Sequence, residues 1–158
     1  MDDGQLLVMF FYGTLKRGER NHERYCGGAV SVEEGVVRGD LYDILLDYPA
    51  LVVPEESIQA FGTGDFARDA EVQRRLGRRR VPFVESPRVF GEIFVFDDPE
   101  FRLSAIDRLE GFDPADASNH YRRVLLPVET NAGSSLLAWA YAVEASSGTY
   151  LPEGRWPP

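Results

Sequence analysis

Residues 6–12, with the sequence LLVMFFY, decide the fold because they are apolar at every position. A strand with one face in water alternates between polar and apolar residues, whereas a continuous apolar run is typical of a strand buried on both faces. The sequence YGTL at residues 12–15 ends this run, and its glycine lets the main chain approach another group closely. We therefore predict a central strand followed by a loop that offers backbone groups to a ligand.

The clearest helix follows a second strongly apolar strand, at residues 89–96. Asp98 supplies an N-cap acceptor before Pro99, and proline favours the first position of a helix. Gly111 suits the left-handed residue just after a helix end. The apolar face of this helix comprises Leu103, Ile106 and Leu109. The prediction is a helix over residues 99–110, with Glu110 at its end.

The other predicted elements do not alternate regularly between strand and helix. A strand is expected over residues 36–44, where Gly39 indicates a bulge or a close backbone approach. Residues 48–54 contain prolines and suit an edge, while residues 121–129 and 136–143 form a hairpin. About six strands with two or three helices predict an α+β fold, a mixed sheet or small barrel, and not a doubly wound fold.

The predicted hairpin has two distinct faces, because successive side chains of a strand point to opposite sides. Tyr121, Arg123 and Leu125 share one face of its first strand. One face of its second strand carries alanine at residues 138, 140 and 142. This face leaves room for a packed helix or, alternatively, for a ligand.

Residues 54–87 are predicted to form an insertion or lid outside the core. A helix is expected over residues 65–76, where the apolar stripe is weak and Gly77 ends the pattern. The basic run RRLGRRR at residues 74–80 fits a solvated surface or, alternatively, an anion contact.

The composition is that of one compact globular domain over residues 1–158, with 44% hydrophobic and 12% aromatic residues. A net charge of -9 argues against nucleic acid or an anionic membrane as a partner, because the field of the protein repels polyanions. We therefore expect a small-molecule partner.

Cysteine use and the N-terminal sequence favour a reduced, cytoplasmic protein. Cys26 has no second cysteine to pair with, and neither a signal-peptide pattern nor a membrane-spanning apolar run is present. A nucleophilic Cys26 with His22 as its base is a less favoured alternative to a small buried thiol. His120 lacks a second His or Cys at ligand spacing, so no metal site is predicted.

Several short pieces of the sequence, in order along most of the chain, resemble the gamma-glutamylcyclotransferase-like family, also called the AIG2-like family. Each piece is weakly specific by itself, and their common order carries the resemblance. The pieces are FYGTLKRG at 11–18, GDLY at 39–42, YPAL at 48–51, GEIF at 91–94, IDRLEGF at 106–112 and YRR at 121–123. The segment at residues 54–87 is longer than the family leads us to expect.

This resemblance implies an α+β fold around a small, mainly antiparallel β-barrel, with a cavity and one essential glutamate. It also implies release of 5-oxoproline from a gamma-glutamyl amine or amino acid, with neither a metal nor an organic cofactor. Carried over by position, the catalytic residue is Glu110. The substrate-binding residues are Tyr12, Gly13, Thr14, Leu15 and Tyr121, and Arg123, on the same face as Tyr121, could pair with a carboxylate.

The chemistry gives an independent reason for these residue types. The free alpha-amine of a gamma-glutamyl amide can attack the gamma-carbonyl and close a five-membered ring, provided that the two are held close together. A single carboxylate can take the amine proton and return it to the leaving group if burial lifts its pKa from about 4.3 towards neutrality. Glu110, after an apolar helix face, suits that role.

Structural alternatives exist for each of these residues. A glutamate near a helix end is commonly solvent-exposed, Tyr-Gly-Thr is common where a strand turns, and Arg123 could be a structural ion-pair partner. Glu92, within an apolar strand, is expected to be a paired carboxylate. The alternative function is a noncatalytic small-molecule-binding or interaction domain on the same scaffold. A third possibility is hydrolysis or transfer on another amide by Glu110.

Overall fold

A computed structural model describes residues 6–44, 48–77, 84–116, 121–146 and 148–158 of the chain. The strands of the main sheet are β1 (Leu7–Phe11), β2 (Ser31–Arg38), β5 (Ala60–Phe61), β6 (Arg88–Phe96), β7 (Arg122–Thr130) and β8 (Ser135–Ala142). The strands of a smaller sheet are β3 (Asp40–Ile44), β4 (Tyr48–Val52) and β9 (Thr149–Tyr150). The helices are α1 (His22–Cys26), α2 (Phe66–Leu76) and α3 (Pro99–Glu110), with a 3-10 turn at Glu55–Ser57.

Five strands close into a barrel in the order β2-β6-β1-β8-β7, because β2 also pairs with β7. The closing register joins Gly35 to Thr130 and Val36 to Glu129. Only the β1–β8 contact is parallel among the described pairings, and β5 extends the sheet beside β7. The predicted α+β fold with a small, mainly antiparallel barrel is confirmed.

The first strand occupies the centre of this arrangement, as its sequence predicts. β1 pairs with β6 over its whole length and meets β8 where Met9 faces Trp139. Leu7, Met9 and Phe10 are fully buried. Alternate residues of β1 therefore enter two different cores, one on each side of the barrel wall.

The barrel wall separates these two cores. The outer core joins Leu7, Met9 and Trp139 to Leu103 and Ile106 of α3, so the helices pack on this side. The inner core receives side chains from all five barrel strands, including the alanines at 138, 140 and 142. The alanine face therefore packs inside the barrel, where small side chains leave room for large ones, and not against a helix.

Helix α2 belongs to the outer core, so the prediction of a lid at residues 54–87 does not fit this part of the segment. Ala70 is buried, and the side-chain oxygen of Gln73 accepts a hydrogen bond from the Val8 backbone at 2.8 Å. The indole of Trp139 donates to the Asp69 carbonyl at 3.3 Å. Residues 78–83, with the last three arginines of the basic run, lie outside the described residues.

The predicted strand over residues 36–44 is two strands that belong to different sheets. The chain leaves β2 and enters β3 around Gly39, where a Cβ atom would lie 2.5 Å from the Val52 carbonyl oxygen. This is the close backbone approach that the glycine indicates. β3 pairs with β4 and β9, and β4 is an edge strand, as its proline predicts.

Candidate active site

A cavity of about 250 Å³ lies where β1 ends beside the end of α3. Its lining includes the 12–15 loop, Glu110 and Tyr121, which are the residues that the sequence points to. The lining residues are Phe10, Phe11, Tyr12, Gly13, Thr14, Leu15, Arg20, Asn21, Tyr48, Pro49, Leu109, Glu110, Tyr121 and Tyr141. The 12–15 loop and Glu110 therefore line one cavity, although they are distant in the sequence.

Glu110 reaches the cavity because it continues the buried face of α3. Leu103 and Ile106 are completely buried, and residues at this spacing lie on one face of a helix. Gly111 then ends the helix with a positive φ of 70°. The backbone N–H of Phe112 donates to the Asp107 carbonyl at 2.9 Å and so closes the last turn around Glu110.

The Glu110 carboxyl is poised to exchange protons near neutral pH. Burial, and after it the nearby negative charge of Asp107, together raise its pKa from 4.5 to about 7. Within the part of the chain that the structure describes, its oxygens form neither a hydrogen bond nor an ion pair. Both oxygens are therefore available to a hydrogen-bond donor of a ligand.

The 12–15 loop offers backbone donors to the cavity. Its carbonyl groups are engaged, because Lys16 N donates to Gly13 O at 3.1 Å and Asn21 N donates to Thr14 O at 2.9 Å. By contrast, the N–H groups of residues 13, 14 and 15 have no acceptor among the described residues. Consecutive N–H groups of this kind can hold a carboxylate or an oxyanion.

Gly13 is required by a close approach, although the neighbour is protein and not ligand. A Cβ atom at Gly13 would lie 2.6 Å from Cγ of Pro49, which also lines the cavity. The Thr14 hydroxyl accepts a hydrogen bond from the Asn21 side-chain amide at 2.9 Å. The loop is therefore held on one side by Pro49 and on the other by Asn21.

Three tyrosines surround Glu110, and their hydroxyl protons point to protein acceptors. Tyr12 donates to the Tyr141 carbonyl at 2.5 Å, Tyr121 donates to the Pro49 carbonyl at 2.6 Å, and Tyr141 donates to the Asp107 carboxylate. Burial, before any charge effect, raises the pKa of each hydroxyl. The Tyr121 hydroxyl therefore spends its proton on the Pro49 carbonyl.

Arg123 does not line the cavity, so a direct contact with a ligand is not what its position favours. Its side chain is fully buried and pairs with Asp107 (Nε–Oδ1, 2.8 Å) and with Asp69 (Nη1–Oδ2, 2.9 Å). Burial alone would lower the pKa of the guanidinium, but the hydrogen bonds and charge of Asp107 outweigh it and raise the pKa. The alternative interpretation, a structural ion pair, matches this geometry.

The remaining candidates have structural surroundings. Burial raises the pKa of the Cys26 thiol to about 12, which removes its nucleophilic form at neutral pH. The carboxylate of Glu92 pairs with Arg17 at 2.8 Å. His120 lies outside the described residues, within which no group of three or more His, Cys, Asp or Glu side chains is arranged to hold a metal ion.

Sequence reasoning missed four residues of the cavity wall that the structure brings forward, namely Asn21, Tyr48, Pro49 and Tyr141. Tyr48 and Pro49 belong to the YPAL piece that supports the family resemblance, and this was the available signal. Tyr141 carried no such signal, because an alternating aromatic strand is typical of ordinary core packing.

The fold is thus a closed, mixed five-stranded barrel with helices, and Glu110 is the one carboxyl that lines its cavity in the described part of the chain. The chain belongs to the gamma-glutamyl cyclotransferase, AIG2-like family, whose model matches residues 9–76 and 63–158. A comparison with curated proteins finds no match. In the described parts of the chain, the helices are too short or too polar to span a membrane.

Solved structures share the fold at low sequence identity. YkqA from Bacillus subtilis is 20% identical over 96% of this chain, with a TM-score of 0.60, and this chain spans 39% of its length. An AIG2-like protein from Mus musculus is 19% identical over 90% of this chain and 81% of its own, with a TM-score of 0.58. An uncharacterised protein from Pyrococcus horikoshii is 19% identical over 95% and 89%, with a TM-score of 0.55.

Proposed function

We propose that this protein is a metal-independent cyclotransferase that releases 5-oxoproline from a gamma-glutamyl amine or gamma-glutamyl amino acid. The observation that carries the proposal is the position of Glu110. Its carboxyl, with a pKa raised to about 7 by burial and then by Asp107, lines the same cavity as the loop whose N–H groups have no acceptor among the described residues. Family membership supports the same reaction class.

In the proposed reaction the substrate supplies both nucleophile and electrophile. The alpha-amine nitrogen forms a bond to the gamma-carbonyl carbon, and Glu110 takes the proton that the nitrogen loses. The amide bond to the leaving group then breaks, and Glu110 returns the proton to the departing nitrogen. The products are 5-oxoproline and a free amine, and a carboxyl with a pKa near the ambient pH serves both transfers.

The loop contributes binding and orientation. The N–H groups of Gly13, Thr14 and Leu15 would hold the alpha-carboxylate of the substrate or the oxyanion that develops on the gamma-carbonyl. The Tyr121 oxygen, whose proton goes to Pro49, accepts a hydrogen bond from the substrate amine. Holding amine and carbonyl in contact supplies much of the acceleration, because the attack becomes intramolecular and oriented.

The test is a panel of gamma-glutamyl amino acids and gamma-glutamyl amines, with 5-oxoproline and the freed amine quantified by mass spectrometry. Glu110→Gln should lower kcat/KM by about 10²–10⁴-fold, the usual contribution of a general acid or base. The matched control is Glu100→Gln, which makes the same change at an exposed position on the same helix. It should retain wild-type activity.

The remaining results separate the competing functions. Turnover by a folded Glu110→Gln variant at the wild-type rate would contradict the mechanism. Thermal stabilisation by gamma-glutamyl ligands without any product, lost in Gly13→Ala, would instead identify a noncatalytic binding domain. Release of free glutamate in place of 5-oxoproline would identify hydrolysis.

A further inference from the structure

A buried charge cluster lies directly behind Glu110. Asp107, one helical turn before Glu110, accepts hydrogen bonds from Nε of Arg123 at 2.8 Å and from Nη2 at 2.9 Å. It also accepts the Tyr141 hydroxyl. Asp107 is 4% exposed and Arg123 is 0% exposed, so both lie out of water. This cluster joins α3 to β7 and β8 at the end of the helix that carries Glu110.

The cluster contains more negative than positive charge. Arg123 also pairs with Asp69, whose carboxylate accepts hydrogen bonds from the Thr63 backbone at 2.8 Å and hydroxyl at 2.7 Å. One guanidinium thus faces two carboxylates, and the neighbouring donors from Thr63 and Tyr141 are neutral. Because the cluster is buried, its surplus charge is weakly screened by solvent.

Two structural features link this charged cluster to the cavity. Residues three apart on a helix are neighbours on one face, so the Asp107 carboxylate and Glu110 lie on the same side of α3. Tyr141 lines the cavity beside Glu110 while its hydroxyl is held by Asp107. The cavity wall and the charge cluster therefore share a side chain, and Asp107 is the member of the cluster closest in the helix to Glu110.

We propose that Asp107 is a positioning residue for Glu110: clamped by Arg123 and Tyr141, it fixes the last turn of α3 and places a negative charge behind the Glu110 carboxyl. This inference rests on the proposed function, in which Glu110 first accepts a proton and then returns it near neutral pH. The raised pKa of Glu110 agrees with it, since Asp107 is the charge that contributes after burial. The other titratable side chains that line the cavity are Arg20, Tyr12, Tyr48, Tyr121 and Tyr141.

The cluster supplies a matched pair of variants. Asp107→Asn and Asp69→Asn each remove one carboxylate charge from Arg123 with the same change of shape. Protonation of Glu110 is followed by carboxyl-carbon NMR of the labelled protein, with Glu110→Gln to assign the signal. The midpoint should fall by roughly one pH unit in Asp107→Asn. In Asp69→Asn it should stay near the wild-type value, although both variants lose stability.

The same comparison has a kinetic readout and several results that overturn the proposal. The acid limb of the kcat/KM profile should move to lower pH in Asp107→Asn only. An unchanged Glu110 midpoint in that variant, or equal shifts in both variants, would refute a specific role for Asp107. Because the NMR titration needs no turnover, an absence of 5-oxoproline formation would defeat the proposed function separately.

A second substitution covers the case in which Asp107→Asn does not fold. Asp107→Glu keeps the charge but displaces it by one methylene group. It should keep the Glu110 midpoint near that of the wild type while lowering kcat severalfold, because the last turn of α3 is no longer held in place. Wild-type kcat in a folded Asp107→Glu variant would show that the clamp does not position Glu110.

Discussion

Asp107 and Glu110 are two carboxylates one turn apart on α3, and their surroundings are opposite. Asp107 accepts two hydrogen bonds from Arg123 and one from Tyr141, whereas Glu110 has no protein partner within the described residues. The difference shows that Asp107 anchors the end of α3, whereas the Glu110 carboxyl is left without a hydrogen-bond partner in the described residues.

The 12–15 loop repeats this contrast within one short segment. Its carbonyl groups are engaged by Lys16, Asn21 and the His22 ring, while three of its N–H groups have no acceptor in the described part of the chain. The hydrogen bonds to its carbonyl groups hold the loop in its conformation. The loop lines the same cavity as Glu110, so changes to its anchoring hydrogen bonds and to its cavity contacts should have different consequences.

The largest loss of stability is expected when the ion-pair cluster around Asp107 and Arg123 is broken. Arg123→Met removes the guanidinium and leaves Asp107 and Asp69 buried without their cation, which should lower the free energy of unfolding by about 3–5 kcal/mol. Urea denaturation near neutral pH measures this value. Arg17→Met is the control, because the Arg17–Glu92 pair is half exposed and should cost no more than about 1 kcal/mol. Equal costs would mean that the Arg123 cluster is not an anchor.

A smaller effect, a gain in stability above neutral pH, is expected when Glu110 is replaced by a side chain that does not ionise. The pKa of Glu110 is higher in the folded protein, about 7, than its ordinary value of 4.5, so ionisation is less favourable after folding. The wild type should therefore lose stability as the pH rises from about 4.5 to 7.

Glu110→Gln abolishes this loss, because the amide does not titrate. At pH 8 the variant should be more stable than the wild type by about 2–3 kcal/mol, and near pH 4.5 this difference should vanish. Denaturation curves over this pH range measure it. A difference that does not change with pH would show that Glu110 titrates normally.

The smallest effect is expected at Tyr121, which lines the cavity and also donates a hydrogen bond to the Pro49 backbone. Tyr121→Phe removes the hydrogen bond to the Pro49 carbonyl and should cost about 1 kcal/mol of stability, with a severalfold rise in KM. Tyr25→Phe is its control, since the Tyr25 hydroxyl forms no hydrogen bond among the described residues. If stability falls without any change in KM, Tyr121 belongs to the scaffold alone.

Local sequence signals predicted the elements that frame the site. The apolar run of β1 and the proline start and glycine end of α3 each act within a few residues, so their bounds follow closely from the sequence. The Asp98 side chain does not cap the helix as predicted and pairs with Arg102 instead. The cavity itself was predicted from the ordered family pieces. Spacing alone could not join Gly13 to Glu110, because their meeting depends on the closure of the barrel.

The sequence could not reveal features that depend on distant partners. Asp69 and Gln73 look like solvent-facing residues in a weakly amphipathic helix, yet both are buried because Arg123 and the Val8 backbone satisfy them. This is why the sequence did not predict that α2 packs on the core. Likewise, the break at Gly39 reflects the neighbouring Val52 carbonyl, which belongs to another strand.

The pairing of β1 has a consequence for the rate of folding. Its partners are β6 and β8, which both come from the second half of the chain. The β1–β8 contact is the only parallel contact among the described pairings. Loop-closure entropy opposes such distant pairings until most of the chain is ordered, which slows folding into the millisecond-to-second range. Because the 12–15 loop follows β1 directly, we expect its N–H groups to become aligned only after these distant pairings have formed.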